Sequence, residues 1–202
     1  MVEDRTTLRL FAAVNLPDAV RRQLAAAQSL LAGEGWPIRW VRPEGIHVTL
    51  AFLGSTPSTL RPKIERAVAE AAAGSGPLRL EVIGLGCFPS ASRPRVLWAG
   101  LRGDLQALGG LQRDLARRLR RVGVQLEDRA FSPHATLGRA RAPLDAGQGR
   151  RLGEMLAARR EEHFGAWTAE AIELMHSDIQ PGGSVYTTLF SAPLGATPHP
   201  PH

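Results

Sequence analysis

The tetrapeptide His-x-Thr-Leu occurs twice, as His47-Val48-Thr49-Leu50 and as His134-Ala135-Thr136-Leu137, each inside a short β-like run. On a strand, residues i and i+2 share a face. His47 and Thr49 therefore project together while Val48 and Leu50 turn toward a core. His134 and Thr136 do the same against Ala135 and Leu137. Two strands of this kind, placed side by side, bring two imidazoles and two hydroxyls to one cleft. A large side chain follows each copy at the same offset, Phe52 in the first and Arg139 in the second.

The rest of the chain supplies similar surroundings for both copies. Leu8 to Leu16 reads as a first strand, and Pro17-Asp18 opens a helix over Ala19 to Leu31. Trp36 to Val41 is a short extended segment, and the first motif lies on a strand from Ile46 to Leu53, ended by Gly54. Ser58 caps a helix over Thr59 to Ala73. Leu78 to Leu85 and Arg95 to Leu101 read as strands. Asp104 caps a helix running to Val122, with Leu108, Leu111, Leu115 and Leu119 on its apolar stripe. Phe131-Ser132-Pro133 leads into the second motif, on a strand to about Arg139. A helix over Leu152 to Glu161 follows. Strands Trp167 to Ser177 and Val185 to Phe190 close the chain across a Gly182-Gly183 turn. The order of elements predicts an α+β fold, bilobal and pseudo-symmetric: two antiparallel β-sheets face a central cleft, with helices on the outside. Residues 1–194 form one domain in this reading, and residues 195–202 a disordered, Pro-rich tail.

Composition narrows the class. The chain has 202 residues, 44% hydrophobic and 22% charged, as expected of a soluble globular protein. No apolar run approaches the ~20 residues a membrane span needs. The N-terminus is not laid out as a signal peptide, so the expected compartment is the cytoplasm. Nothing demands a dimer, and a monomer is expected. Cys87 is the only cysteine, which removes internal disulfides and cysteine-based zinc clusters; it reads as a bystander thiol. The formal charge of +6 suits a polyanionic partner such as RNA. Lys63 is the only lysine, and the runs Arg117-Arg118-Leu119-Arg120-Arg121 and Arg150-Arg151 read as solvated helix faces.

Imidazole titrates near neutrality, with an ordinary pKa of about 6.5, so one ring can act as base while the other acts as acid. That pairing suits displacement at phosphorus. One His takes a proton from water and the other protonates the departing oxygen, while Thr hydroxyls and an Arg hold the phosphoryl oxygens. No metal and no cofactor is needed. A metal site is the competing chemistry, but a catalytic zinc takes three protein ligands, and no His-x-x-x-His pair or nearby acid accompanies either motif. His163, His176, His199 and His202 lack such context. Trp36, Trp40, Trp98 and Trp167 read as core or lobe-interface residues.

With both motifs placed, the chain resembles the two-histidine (2H) phosphoesterases. The nearest likeness is to the RNA 2′,3′-cyclic phosphodiesterases, also called 2′–5′ RNA ligases. The likeness runs through Arg9-Leu10-Phe11-Ala12-Ala13-Val14, Ile46 to Gly54, Pro133 to Arg139, and the closing stretch from Ser177 to Tyr186. It implies metal-independent hydrolysis of RNA ending in a 2′,3′-cyclic phosphate, or of a cyclic nucleotide, to a 2′-phosphate. It implies His47 as general acid and His134 as general base. Thr49, Thr136 and Arg139 would contact the phosphate, and Phe52 would position the terminal nucleoside. Two other outcomes fit the same residues: 2′–5′ ligation at the same site, and a noncatalytic nucleotide- or RNA-binding module. On a regular strand, Phe52 and Arg139 fall on the face opposite their His. Gly138 lets the strand turn for Arg139; nothing local does so for Phe52.

Overall fold

The computed structural model describes residues 7–180 and 183–195. It comprises strands β1 (Thr7–Asn15), β2 (Ile38–Trp40), β3 (His47–Pro57), β4 (Leu78–Phe88), β5 (Val96–Gly103), β6 (Ala135–Ala140), β7 (His163–Ala169), β8 (Ala171–Gln180) and β9 (Gly183–Pro193). The helices are α1 (Asp18–Ala32), α2 (Arg61–Ala73), α3 (Leu105–Arg121) and α4 (Ala146–Ala157).

The strands pair antiparallel in the order β7-β4-β5-β6-β3-β1-β8-β9, with β2 against β6. The α+β, antiparallel, bilobal architecture expected from the sequence is present, with one refinement. The two sheets are joined into one through a single pair, Val48 of β3 with Ala135 of β6. On either side of that junction lie β3-β1-β8-β9 and β6-β5-β4-β7. The succession β1-α1-β3-α2 recurs as β5-α3-β6-α4. In each unit the strand of the His motif pairs with the strand that opens the unit, β3 with β1 and β6 with β5; His47 is the first residue of β3, whereas His134 lies immediately before β6. The two motifs thus meet at the centre of a duplicated plan.

Apolar stripes fix the helices to the sheet. Val20, Leu24, Ala27 and Leu31 of α1 are buried, as are Leu108, Leu111, Leu115 and Leu119 of α3. Each fully buried Leu contributes about 1.5–3 kcal/mol. The helices otherwise depart from expectation at their ends. Neither Ser58 nor Asp104 caps its helix with a side-chain hydrogen bond. The Asp104 carboxylate instead accepts the Arg79 backbone N–H at 2.8 Å, tying the end of β5 to the start of β4. Helix α4 starts at Ala146, not Leu152, because Asp145 and Gln148 form a reciprocal capping box, with bonds of 2.8 and 3.1 Å. It stops at Ala157, short of Glu161. The strand expected over Trp167 to Ser177 is two strands, β7 and β8, broken at Glu170. They pair with β4 and β1 respectively, so the chain crosses between the halves there. Gly182 and all but the first residue of the expected tail lie outside the described residues. Among the described residues no helix is long and apolar enough to cross a membrane.

Candidate active site

Both His side chains are held the same way. His47 donates its Nδ1–H to the Gly45 carbonyl at 2.8 Å, and His134 donates its Nδ1–H to the Ser132 carbonyl at 2.7 Å. A carbonyl only accepts, so each Nδ1 must carry a proton. Nε2 is then the nitrogen left for chemistry in both copies. Each acceptor lies two residues before its His, so the tautomer is fixed by the turn that feeds the strand. The Val48–Ala135 pair sits between the motifs and brings them to one place. His47, Thr49, Phe52, His134, Thr136 and Arg139 all line one open cleft of about 1680 Å³.

Aromatic rings fix the imidazoles further. Phe11 of β1 stacks on His47 at 4.6 Å between centroids, and Tyr186 of β9 meets it edge-on at 5.3 Å. Phe88, at the end of β4, meets His134 edge-on at 5.2 Å. None of these three was picked out as a site residue from sequence. Tyr186 is the only tyrosine, but it is distant from both motifs in the chain. For Phe11 a signal exists: β1 is apolar on both faces. Phe11, Ala13 and Met175 form a small separate cluster with Tyr186, while Leu10, Ala12 and Val14 enter the main core.

Phe52 and Arg139 reach the cleft through matching irregularities. Along β3, Ala12 pairs with Ala51 and Ala13 with Thr49, so Leu50 is unpaired in the register. Along β6, Leu97 pairs with Gly138 and Trp98 with Thr136, so Leu137 is unpaired. These residues hold the same place in the two motifs. Each behaves as a β-bulge, which inserts a residue and re-aims those that follow. Leu50 and Ala51 are consecutively buried, as are Leu137 and Gly138. The alternation therefore flips, and Phe52 and Arg139 emerge on the face of the His and Thr. Phe52 is 39% exposed there, with the Arg9 guanidinium 4.7 Å above its ring. Gly138 has a packing reason too: a Cβ would come within 2.7 Å of Ile38 and 3.0 Å of Trp40.

Buried Gln28 of α1 braces this arrangement. Its amide donates to the carbonyls of Val41 and of the bulge residue Leu137, both at 2.8 Å. The helix of the first unit is thus hydrogen-bonded to the strand that aims Arg139.

The two His differ in setting. Burial, the largest influence, lowers the His47 pKa to about 4; nearby Arg21, Arg139 and His134 push the same way, and the Gly45 hydrogen bond opposes them. His47 is therefore neutral at pH 7, and its Nε2 accepts the Thr49 hydroxyl at 3.0 Å. His134 is only half-buried. Cys87 lies outside this machinery, and burial pushes its thiol up. Among the described residues no group of three or more His, Cys, Asp or Glu is arranged to hold a metal ion.

Residues 14–98 match the family described as LigT like phosphoesterase. An RNA 2′,3′-cyclic phosphodiesterase from Thermus thermophilus is 34% identical over 188 residues, covering 90% of this chain and 88% of the relative. Another, from Aquifex aeolicus, is 30% identical over 158 residues, covering 78% of this chain and 82% of the relative. A Thermus thermophilus crystal structure superposes with a TM-score of 0.78 at 29% identity, covering 93% of this chain and 98% of the other. The repeated His-x-Thr strands, their shared cleft and these relatives lead to one assignment: the chain belongs to the LigT-like phosphoesterase family.

Proposed function

We propose that the protein hydrolyses RNA ending in a 2′,3′-cyclic phosphate, or a 2′,3′-cyclic nucleotide, to the 2′-phosphomonoester. The observation that carries this reading is the matched presentation of two Nε2 atoms to one cleft, beside two Thr hydroxyls and Arg139. Relatives named for this activity support it.

In this reading His134 Nε2 takes a proton from water as the water oxygen attacks phosphorus. The bond from phosphorus to the 3′ oxygen breaks, and His47 Nε2–H protonates that oxygen. Thr49, Thr136 and the Arg139 guanidinium stabilise the phosphoryl oxygens. Phe52, with Arg9 on its other face, offers a platform to the terminal base. The protein acts as a monomer in this reading, and an RNA substrate supports a cytoplasmic setting.

The acid role requires His47 to gain a proton that its burial disfavours. A bound phosphodiester supplies a negative charge beside the ring, which favours its charged form. Protonation also ends the donation from Thr49 to Nε2, which frees the hydroxyl hydrogen for a phosphoryl oxygen and leaves Nε2–H to the 3′ oxygen. Substrate charge, His47 protonation and Thr49 donation are therefore coupled.

Short RNA with a 2′,3′-cyclic end should be turned over in the presence of EDTA, with a bell-shaped pH–rate profile. The His47 inflection should lie higher in kcat, which reports the complex, than in kcat/KM, which reports the free enzyme. Loss of turnover in EDTA would overturn the metal-free scheme. Identical inflections would overturn the charge coupling.

A further inference from the structure

We propose that the cleft-facing stripe of α3 is a track for the RNA backbone upstream of the cyclic end, so that the enzyme favours single-stranded oligonucleotides over mononucleotides. This rests on the cyclic phosphodiesterase reading and adds a substrate class to it. Pockets for small molecules occupy about 300–1,000 Å³. The cleft, at about 1680 Å³, is larger than one nucleotide requires.

One wall of this cleft is a helix. Leu105, Gly109, Gln112, Arg113, Ala116 and Arg120 line the same cleft as the two His. They recur at helical spacing on the flank beside the buried Leu108, Leu111, Leu115 and Leu119, and Ala116 is itself buried. The stripe spans about 22 Å at ~1.5 Å per residue. Gly109 and Ala116 keep its floor low. Arg113 and Arg120 stand two turns apart on it, and both are exposed.

Ion pairing separates these arginines from their neighbours. Arg118 is bound to Asp114 and Glu70, and Arg117 to Asp114, so these two fasten the helix surface. Among the described residues Arg113 and Arg95 have no acidic partner, and Arg95 lines the same cleft. Arg120 has only a long exposed contact of 3.9 Å to Asp128, of the kind worth little in water. The other rim acid, Glu127, is paired with Arg129 at 3.2 Å. Phe88 and Phe131 also line the cleft. Free guanidiniums along a groove with aromatic rings suit a single strand, whose phosphates they neutralise and whose bases stack. The long Arg run is thereby divided: part of it is structural, and Arg120, with Arg113, faces the substrate path.

The test compares a 2′,3′-cyclic mononucleotide with an eight-nucleotide single-stranded RNA bearing the same cyclic terminal nucleotide. Wild-type kcat/KM should be about tenfold or more higher for the octamer. In the double variant Arg113→Gln/Arg120→Gln the octamer should lose most of that advantage, while the mononucleotide changes less than about twofold. The slope of log(kcat/KM) against log salt for the octamer should flatten by about 1.4, at ~0.7 per phosphate contact. Equal wild-type rates on both substrates, or equal losses on both in the variant, would overturn the track. Fluorescence anisotropy with the octamer carrying an unreactive 2′-phosphate end separates the two readings. If the wild type turns over neither substrate but binds this RNA in an Arg113- and Arg120-dependent way, the track stands and the activity falls. Absent that dependence, the track falls.

Discussion

Replacing either His47 or His134 by alanine should lower kcat on a cyclic-ended RNA by about 10²–10⁴-fold each. The double variant should be little worse than the more damaging single one, because in the proposed mechanism the two groups serve one step. The fold should survive. His134 is half-buried and its ring meets Phe88 edge-on, so its loss removes modest packing. His47 is more embedded, under Phe11 and against Tyr186. His47→Gln, which retains volume and a donor, serves as a second variant if His47→Ala loses stability. A substrate with sulfur in place of the bridging 3′ oxygen separates the roles. A thiolate leaves without a proton, so this substrate should rescue the His47 variant and not the His134 variant. Rescue of the His134 variant alone would reverse the acid and base assignments, and full activity of either variant on the ordinary substrate would remove that His from the mechanism.

Arg139→Ala should cost about 10²–10³-fold in kcat, the range found when one preorganised donor to a developing oxyanion is removed. The guanidinium lines the cleft because Leu137 is unpaired in the register of β6 against β5, and a strand without that irregularity would turn it away. Arg139→Lys should recover only part of the loss, since lysine keeps the charge but lacks the planar fork that meets two phosphoryl oxygens. Phe52 occupies the equivalent place after the first bulge but offers a ring, not a charge. Phe52→Ala should therefore act chiefly through KM. An Arg139→Ala variant with unchanged kcat would remove this residue from phosphate stabilisation.

The His–Thr pairs are legible in the sequence because strand parity is a local property. Two residues separated by one lie on one face whatever the strand pairs with, and the cleft contains all four. The reach of Phe52 is not legible, because a bulge is defined against a partner strand, here β1, which lies far earlier in the chain. The same holds for Arg139 and β5, although Gly138 hints at it. Tyr186 carries no spacing signal and arrives at His47 only because β9 closes the first half of the sheet. The union of two sheets into one depends on the Val48–Ala135 pair, a contact between residues distant in sequence. Helix α4 is obscured by Gly147, Gly149 and Gly153, which lower helix propensity over its first turns. Its Asp145–Gln148 capping box fixes the start despite them.

In the proposed mechanism two equivalent strands present an acid and a base to opposite sides of one cyclic phosphate, with the proton delivered to the 3′ oxygen. The most direct measurement is the position of the phosphate in the product after wild-type protein has acted on a 2′,3′-cyclic-ended RNA. A 2′-phosphate and a free 3′-hydroxyl are expected. A 3′-phosphate, or recovery of the unchanged cyclic end, would contradict it.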